Sequence, residues 1–444
     1  MSALRVAMVL QAWPGDRAGG TGMVVDALSH ALVELGHRVC VLAPSQSIDS
    51  DAAGDSRIEV RGLTAPEPKR WSETWSKPVI DHEFETFLAH WRPDIIHIHH
   101  LSGLSMGMIS AASARGVRVV LCLHDYSIPC IRGQLVTQDG ELCDGPRAET
   151  CAVCMRHMSP GGPRLSRLTR TLARIPGVER SGRAIISRLP PRTTPLEVHA
   201  RERMAAASRA LRAVDRLEAP SEDLCSRIES MGLPRPFLAP LPLVHDIGAA
   251  PAGPEGDEDE PLRILFVGSL IPTKGAMRLV DAFEQLPTGS ATLTLAGDAP
   301  SFFGSTRYGD ALKDRVASIP SARLRGSVPS SMIGALLHTH DVLVLPSTWP
   351  ENSPLVIREA TAAGLRTVWS TIGGACELDP DGRAVSPEGV EPLVHALRAE
   401  VALGRTRRPP LRWPTPTEVA EWHIAHSYSS CSSDEPGSIG NLSP

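Results

Sequence analysis

Short apolar runs alternate with helical segments along most of this chain, and this alternation most constrains its fold. Leu4–Leu10 is an apolar run bounded by turn residues, which predicts a buried parallel strand. A glycine-rich stretch follows, and apolar residues at helical spacing predict a helix over Met23–Leu35, ended by Gly36. The next apolar run, His37–Pro44, predicts a second strand. This strand–loop–helix–strand order is typical of parallel α/β structure.

The alternation is interrupted once, by a segment with the composition of a linker. Residues 246–260 read DIGAAPAGPEGDEDE, rich in Gly, Pro, Ala and acidic residues. The apolar run Leu262–Leu270 then restarts the pattern, which continues to about residue 400. We therefore predict two doubly wound α/β domains, residues 1–245 and 261–400, facing each other across a cleft. Ligands of such sheets bind at the carboxyl ends of the strands.

The last part of the chain, residues 401–444, departs from this pattern. Thr417–His426 has the character of one more helix. The tail from Ser427 is rich in Ser, Gly and Pro, and we expect it to be disordered.

Composition narrows the class of protein further. The chain has 444 residues, of which 42% are hydrophobic and 21% charged, so it is a globular protein. No apolar run approaches the roughly 20 residues that span a bilayer. The net charge of −5 argues against binding nucleic acid through the overall field, and we expect no nucleic-acid partner. Nine cysteines, an odd number, and the absence of a sustained apolar leader favour the reducing cytoplasm.

The segment PSTWPENSPLVIREATAAG (Pro346–Gly364) carries two glutamates eight positions apart, Glu351 and Glu359. It leaves a predicted strand and enters a predicted helix with Pro354 near its first position. The free backbone N–H groups of Asn352 to Val356 would form an anion site there. A carboxylate beside it would accept hydrogen bonds from sugar or ribose hydroxyls. By spacing alone, two glutamates of an ordinary helix are the favoured interpretation.

Three other motifs precede this segment in a fixed order. They are Gly19-Gly20 after the first strand, His124-Asp125 at a strand end, and VGSLIPTKG (Val267–Gly275) opening the second domain. With the Glu-x7-Glu segment, the ordered set resembles the retaining glycosyltransferases of family 4, which have two Rossmann-like domains in the GT-B arrangement. GGACELDPDG (Gly373–Gly382) is similar to the family loop that follows, and the resemblance covers about residues 4–400.

The resemblance implies a donor site. The N–H groups of Gly19 and Gly20 would approach the donor diphosphate, and Lys274 would stabilise the leaving group as charge develops. Glu351 would hold hydroxyls of the donor sugar, and Glu359 those of the ribose. Without the resemblance, an ordinary tight turn explains the two glycines equally well. The corresponding alternative for Lys274 is a solvated surface lysine. The other implied donor-site positions are Gly268, Ser269, Asn352, Ser353, Pro354, Leu355, and Val328 in a stretch lining the base pocket.

His124 falls where the family has a residue near the reacting sugar, so the resemblance implies a catalytic role for it beside Lys274 and Glu351. The alternative is a strand-end histidine satisfied by its neighbours. His97 and His99, in the strand DIIHIHH, point to the same face. No carboxylate pair lies nearby in the sequence, which favours a structural or acceptor-side role over a metal site.

The sequence departs from the family at Ser269, where relatives often carry an arginine that neutralises the diphosphate. Either Lys274 acts alone or another arginine, such as Arg278, substitutes for it.

The implied reaction transfers a sugar from a UDP- or GDP-sugar to an acceptor hydroxyl, with retention at the anomeric carbon. The resemblance implies front-face attack, in which the leaving phosphate takes the acceptor's proton, and no cofactor is required for catalysis. The acceptor would be a saccharide, a lipid-linked molecule or a small metabolite. Two rivals are a non-catalytic, zinc-stapled nucleic-acid or anion-binding protein on a GT-B scaffold, and a GT-B sugar-nucleotide epimerase.

Four cysteines cluster just after His124-Asp125, within an insertion that we place at residues 126–212. They are Cys130, Cys143, Cys151 and Cys154. A C-x2-C pair with two further cysteines has the ligands of a structural zinc site. Because the spacing differs from a paired C-x2-C ribbon, reduced cysteines or redox pairing remain open.

The insertion continues with an arginine-rich stretch that contains no lysine. Arg164, Arg167, Arg170 and Arg174 recur at helical spacing among apolar residues. A basic amphipathic helix here would contact the inner membrane face or an anionic acceptor. A solvated helix that balances an acidic body is the equal alternative.

Overall fold

Two parallel, doubly wound sheets form the computed structural model, which describes residues 2–13, 19–48, 55–158, 160, 196–248 and 260–429. The first sheet has seven strands in the order β3-β2-β1-β4-β5-β6-β7, and the second has six in the order β10-β9-β8-β11-β12-β13. The two-domain α/β architecture predicted from the alternating pattern is therefore confirmed.

The N-terminal domain carries the first sheet. Its strands are β1 Arg5–Val9, β2 Arg38–Pro44, β3 Ile58–Leu63, β4 Ile95–Ile98, β5 Arg118–Cys122, β6 Arg216–Ala219 and β7 Phe237–Leu238. Its helices are α1 Gly19–Glu34, α2 Pro78–Trp91, α3 Gly107–Ala114, α4 Ala148–Arg156, α5 Leu196–Ala213 and α6 Glu222–Ser230. The central strands are buried on both faces, as their continuous apolar runs require.

The C-terminal domain carries the second sheet. Its strands are β8 Leu262–Val267, β9 Ala291–Ala296, β10 Ala322–Gly326, β11 Val342–Leu345, β12 Arg366–Ser370 and β13 Arg383–Val385. Its helices are α7 Ala276–Phe283, α8 Arg307–Ala317, α9 Ile333–His338, α10 Leu355–Ala362, α11 Ala375–Leu378 and α12 Glu391–Ala402. A short 3-10 turn, Pro272–Lys274, precedes α7.

Each sheet reverses its strand order at one point, and these two reversals indicate where a ligand would bind. In the first sheet β1 pairs with both β2 and β4, and in the second β8 pairs with both β9 and β11. Crevices form outside the carboxyl ends of the strands at such reversals. Gly19, after β1, and Glu351, after β11, therefore come from the two ligand-binding edges.

The last helix, α13 (Pro416–His426), starts from a capping box in which Thr415 and Glu418 satisfy each other's backbone N–H groups. The helix predicted at Thr417–His426 is therefore confirmed. It returns to the N-terminal domain, where Val419 and Ile424 join the apolar cluster on the α1 side of the sheet. The chain thus crosses between the domains a second time.

The residues just after α13 correct one expectation. Ser427 and Tyr428 are buried, and the Tyr428 hydroxyl hydrogen-bonds to His97 Nδ1 at 2.8 Å. The expected disorder from Ser427 is therefore wrong for these two residues, because their side chains complete a buried polar cluster. Residues 430–444 lie outside the described part of the chain.

Most of the predicted linker also lies outside the described residues. Its beginning packs on the second domain, since Ile247 belongs to that core and its carbonyl oxygen lies 2.8 Å from His338 Nε2. The proposed domain boundaries stay predictions. The arginine-rich helix predicted around Arg164–Arg174 falls outside the described residues as well.

Candidate active site

Lys274 and Glu351 form an ion pair at the carboxyl ends of β8 and β11. Lys274 Nζ lies 2.6 Å from Glu351 Oε1 and 2.9 Å from Oε2. Ser347 Oγ and Trp349 Nε1 also donate to Oε1, at 2.7 and 2.9 Å. Two residues implied separately by the resemblance are thus brought together. Ser347 and Trp349 lie in the predicted segment, but no spacing rule identified them as partners of Glu351.

Gly275 explains how the lysine turn reaches this glutamate. Its φ is +76°, and a Cβ atom there would lie 2.1 Å from the carbonyl oxygen of Pro346. Only glycine allows this close backbone approach. Thr348 N also donates to the Thr273 carbonyl at 2.8 Å, which fixes the turn against the exit of β11. The PTKG turn is therefore a positioning element for Lys274.

Helix α10 begins at Leu355 with Pro354 as its N-cap, so the predicted free N–H groups lie beside the Lys274–Glu351 pair. Ser353 Oγ accepts a hydrogen bond from Arg358 at 2.9 Å. Arg358 is buried and also packs over the Trp413 ring. Burial lowers the pKa of its guanidinium to about 10. Sequence reasoning missed this arginine.

Gly19 and Gly20 face this helix start from the other domain. They form the beginning of α1 rather than a free loop, which corrects the predicted helix start at Met23. Gly19 has a φ of +69°, so it enters the helix from a left-handed conformation. A Cβ atom on Gly20 would lie 3.4 Å from Leu355 Cδ1. The amino-terminal ends of α1 and α10 therefore meet across the cleft, where both helix dipoles favour an anion.

Gly268, Ser269 and Val328 follow strands of the sheet that also carries Lys274. Gly268 and Ser269 follow β8 directly, and Ser269 is exposed. Gly297 approaches so closely that a Cβ atom on it would lie 2.0 Å from the Gly268 carbonyl oxygen. Val328 follows β10 and packs partly against the domain core. These positions border the same edge of the sheet as Lys274.

Arg278 does not replace the arginine that relatives carry at the position of Ser269. Its guanidinium donates to the carbonyl oxygens of Gly389 and Ser386, on the loop after β13. The suggested substitution is wrong because these two carbonyl oxygens hold the guanidinium at the loop after β13. Lys274 is therefore the cation that the structure places at the carboxylate.

Glu359 lies within α10 and is buried. Its Oε1 atom lies 2.6 Å from His245 Nδ1. His245 precedes the interdomain segment, more than a hundred positions earlier in the chain, and sequence reasoning missed it. The second glutamate of the Glu-x7-Glu pair is thus joined to the connection between the domains.

His124 lies at the end of β5 and joins another histidine. Its Nε2 atom lies 2.9 Å from His99 Nδ1. Burial lowers its imidazole pKa from 6.5 to about 4, helped by nearby His100. The imidazole is therefore neutral at physiological pH. Its backbone carbonyl accepts a hydrogen bond from Asn352 Nδ2 at 2.5 Å, which ties the two domains together.

A second interdomain contact involves Glu377 of α11. Its carboxylate accepts hydrogen bonds from the backbone N–H groups of Glu222, at 2.7 Å, and Asp223, at 2.9 Å. These are the first residues of α6, so a carboxylate from one domain caps a helix of the other. This contact joins the two domains in addition to the hydrogen bond between Asn352 and His124.

Beside Asp125 the N-terminal domain contains a cavity of about 340 Å³. Trp71, Trp75, His100 and Asp125 line it together with residues of the insertion. His100 Nε2 lies 3.1 Å from Asp125 Oδ2. The cavity thus combines aromatic rings with a polar pair, a composition suited to a hydroxylated ligand.

The four clustered cysteines line a small cavity of about 20 Å³. Burial raises the pKa of the Cys151 thiol to about 11. Within the described ranges, these sulfur atoms do not form a group of three or more that all lie within 4.8 Å of one another. Zinc binding by Cys130, Cys143, Cys151 and Cys154 stays a prediction.

His97 of β4 and His99, just after it, each lie in a group of potential metal ligands, and one of these groups contains a single carboxylate rather than a pair. His97 lies with Glu218 of β6 and His423 of α13, with potential ligand atoms all within 4.8 Å. His99 lies with Cys122 and His124 at the same spacing. Glu218 is far from the histidines in sequence, and only the parallel order β4-β5-β6 brings it near.

The fold defines a class: two Rossmann-like domains in the GT-B arrangement. Residues 18–137 match the family described as Glycosyltransferase Family 4, and residues 261–401 match Glycosyl transferases group 1. The chain therefore carries glycosyltransferase domains of both families.

Individual proteins resemble parts or all of the chain. The glycogen synthase of Mycobacterium tuberculosis is 34% identical over 144 residues, which cover 31% of this chain and 34% of that protein. The match thus spans about a third of this curated relative.

Two solved structures share the fold over nearly the whole chain. Sucrose-phosphate synthase of Thermosynechococcus elongatus has a TM-score of 0.59 at 17% identity, covering 95% of this chain and 94% of that one. Anabaena Alr3699/HepE, in complex with UDP, has a TM-score of 0.57 at 16% identity, with the same coverages. In the part of the chain that the structure describes, no helix is long and apolar enough to cross a membrane.

Proposed function

We propose that this protein is a retaining glycosyltransferase that transfers a hexosyl group from a UDP- or GDP-sugar to an acceptor hydroxyl. The observation that carries the proposal is the Lys274–Glu351 ion pair beside the start of α10, faced by Gly20 of the other domain. A cation, a carboxylate and free helix N–H groups at one switch point suit a sugar joined to a diphosphate. The matches to two glycosyltransferase families support the same reaction class.

Each donor-site group has a distinct part in this proposal. The amino-terminal ends of α1 and α10 bind the diphosphate, and Lys274 stabilises the negative charge that develops on the leaving phosphate. Glu351 accepts hydrogen bonds from hydroxyls of the transferred sugar, and Glu359 from those of the ribose. The bound UDP of the Anabaena relative supports a uridine nucleotide for this chain.

The proposed mechanism needs no enzyme nucleophile. The acceptor hydroxyl attacks from the side of the departing diphosphate, and a phosphate oxygen takes its proton. His124 is neutral, so it would hydrogen-bond the sugar rather than donate a proton as an acid. Retention follows because the new bond forms on the face that the phosphate leaves.

The cavity of about 340 Å³ is the proposed acceptor site. Trp71 and Trp75 would stack on the apolar face of a saccharide ring, and the His100–Asp125 pair would hold its hydroxyls. An acceptor of this kind places the protein in the biosynthesis of a polysaccharide, a glycolipid or a glycosylated metabolite.

Calorimetric titration tests the donor site. UDP, GDP, ADP and dTDP, and their common sugar conjugates, are titrated into the wild type, Glu359→Ala and Glu391→Ala. Glu391 is an exposed glutamate of α12 and serves as the matched control. We expect one nucleotide to bind the wild type and the control but not Glu359→Ala.

Two results contradict the proposal. If no nucleotide binds the folded wild type, the chain is a non-catalytic member of the fold. If the bound nucleotide-sugar is converted to an isomer without any acceptor, the protein is an epimerase.

A further inference from the structure

A buried cluster of polar side chains lies where α13 meets the first sheet. His97 comes from β4, Glu218 from β6 and His423 from α13, and each is at most 2% exposed. One potential ligand atom from each residue lies within 4.8 Å of the others. Neither the donor site nor the proposed acceptor cavity uses these three residues.

Two ligand atoms of this group are unusual for a protein interior. His97 Nε2 and Glu218 Oε2 are buried, and neither has a hydrogen-bond partner among the residues that the structure describes. His423 Nδ1 lies 3.5 Å from Glu218 Oε2 and 3.1 Å from Ser427 Oγ. A buried nitrogen or carboxylate oxygen without a partner costs free energy. Such atoms call for an explanation, which is an ordered water or an ion.

The remaining polar atoms of the cluster are already oriented. His97 Nδ1 bonds the Tyr428 hydroxyl at 2.8 Å, which leaves Nε2 to face the group. Glu218 Oε1 accepts from Arg216 Nε at 2.7 Å, and Ser427 Oγ donates to it as well. Outer partners of this kind fix the ring and carboxylate orientations of metal ligands.

We propose that His97, Glu218 and His423 bind one divalent transition-metal ion of the zinc class. Two imidazole nitrogens and one carboxylate oxygen are donors that Zn²⁺ accepts readily. The three residues come from two strands of the sheet and the last helix, so the ion fixes α13 to the N-terminal domain. This role concerns stability and does not depend on the proposed reaction.

The neighbouring group His99, Cys122 and His124 carries a weaker case. His99 and His124 already share a hydrogen bond of 2.9 Å. This hydrogen bond already uses His99 Nδ1 and His124 Nε2, so these two nitrogens need no metal as a partner.

The alternative explanation is that no metal is bound. The Arg216–Glu218 ion pair would then neutralise the charge of the buried carboxylate. Arg216 also packs over the rings of Phe237 and Trp422. Under this account the unpartnered atoms bind water. The two accounts differ in measured metal content.

The test measures metal in the purified full chain by plasma mass spectrometry, and follows thermal unfolding of the chelator-treated protein with and without Zn²⁺. The site variants are His423→Ala and Glu218→Gln. His426→Ala is the matched control, because His426 lies on the same helix outside the group. We expect the site variants to contain one metal equivalent fewer than the wild type and the control. We also expect Zn²⁺ to raise Tm more in the wild type and the control than in the site variants.

Co²⁺ substitution separates this site from the clustered cysteines. An ion held by nitrogen and oxygen donors lacks the thiolate-to-cobalt charge-transfer absorption that cysteine ligands produce. We expect the Co²⁺ absorption that disappears in His423→Ala to contain no thiolate-to-cobalt charge-transfer band. Equal metal content in the wild type and folded site variants overturns the proposal. If the variants do not fold, the wild type alone tests the proposal. A wild type that contains no metal and whose Tm does not change with Zn²⁺ would overturn it.

Discussion

His245 Nδ1 lies 2.6 Å from Glu359 Oε1, so the residue before the interdomain segment holds the second glutamate of the Glu-x7-Glu pair. Both side chains are buried, and His245 Nε2 has no partner among the described residues. The pair connects the backbone between the domains to a proposed ribose contact. A shift at this connection would therefore reach the nucleotide site directly.

Replacing His245 tests this connection. In His245→Ala the Glu359 carboxylate loses its partner and a fixed orientation, so we expect nucleotide binding to weaken about 10-fold, or about 1.4 kcal/mol. Calorimetry measures the dissociation constant. His395→Ala, an exposed histidine of α12, is the control. Unchanged affinity in His245→Ala would show that Glu359 is held without it.

Lys274 is predicted to act mainly in the transition state. Lys274→Ala removes the cation that faces Glu351, and charge on the leaving phosphate then develops without compensation. We expect kcat to fall about 100-fold, with a much smaller change in donor affinity. Steady-state kinetics with the donor identified by calorimetry measure both quantities. Lys313→Ala, an exposed lysine of α8, should match the wild type. Equal activity of Lys274→Ala and Glu359→Ala would contradict the separate roles.

Glu377 is predicted to stabilise the observed arrangement of the two domains. Glu377→Ala removes the acceptor for two backbone N–H groups at the start of α6. The contact bridges the domains, so its loss should favour opening. We expect a larger radius of gyration by small-angle X-ray scattering and a raised KM for the donor. Glu388→Ala, on an exposed loop of the same domain, should leave both unchanged.

His124 gives a pH prediction with a definite sign. Its folded-state pKa of about 4 lies below the unfolded value of 6.5. The neutral form is therefore favoured by folding, and its contribution is complete above pH 6.5 and lost as the pH falls to about 4. We expect wild-type stability to decline over this range by on the order of 2 to 3 kcal/mol more than that of His124→Gln. Thermal unfolding between pH 4 and 8 measures the difference. Parallel curves for the two proteins would refute the assignment.

Local patterns in the sequence determined the fold class. The apolar runs Leu4–Leu10 and Leu262–Leu270 correctly mark β1 and β8, because buried parallel strands need continuous apolar residues. The motif order also places Lys274 and the Glu351 segment at one switch point. The capping residues of Thr415 to Glu418 likewise specify where α13 begins.

Tertiary structure alone decided which distant residues meet. His245 reaches Glu359, and Glu218 reaches His97, through contacts between segments more than a hundred positions apart. Arg278 has a suitable charge, yet its helix turns it toward Gly389. Periodicity and spacing describe only the neighbours along a strand or helix. Partners across a sheet or between domains depend on strand order and domain packing, which no local pattern encodes.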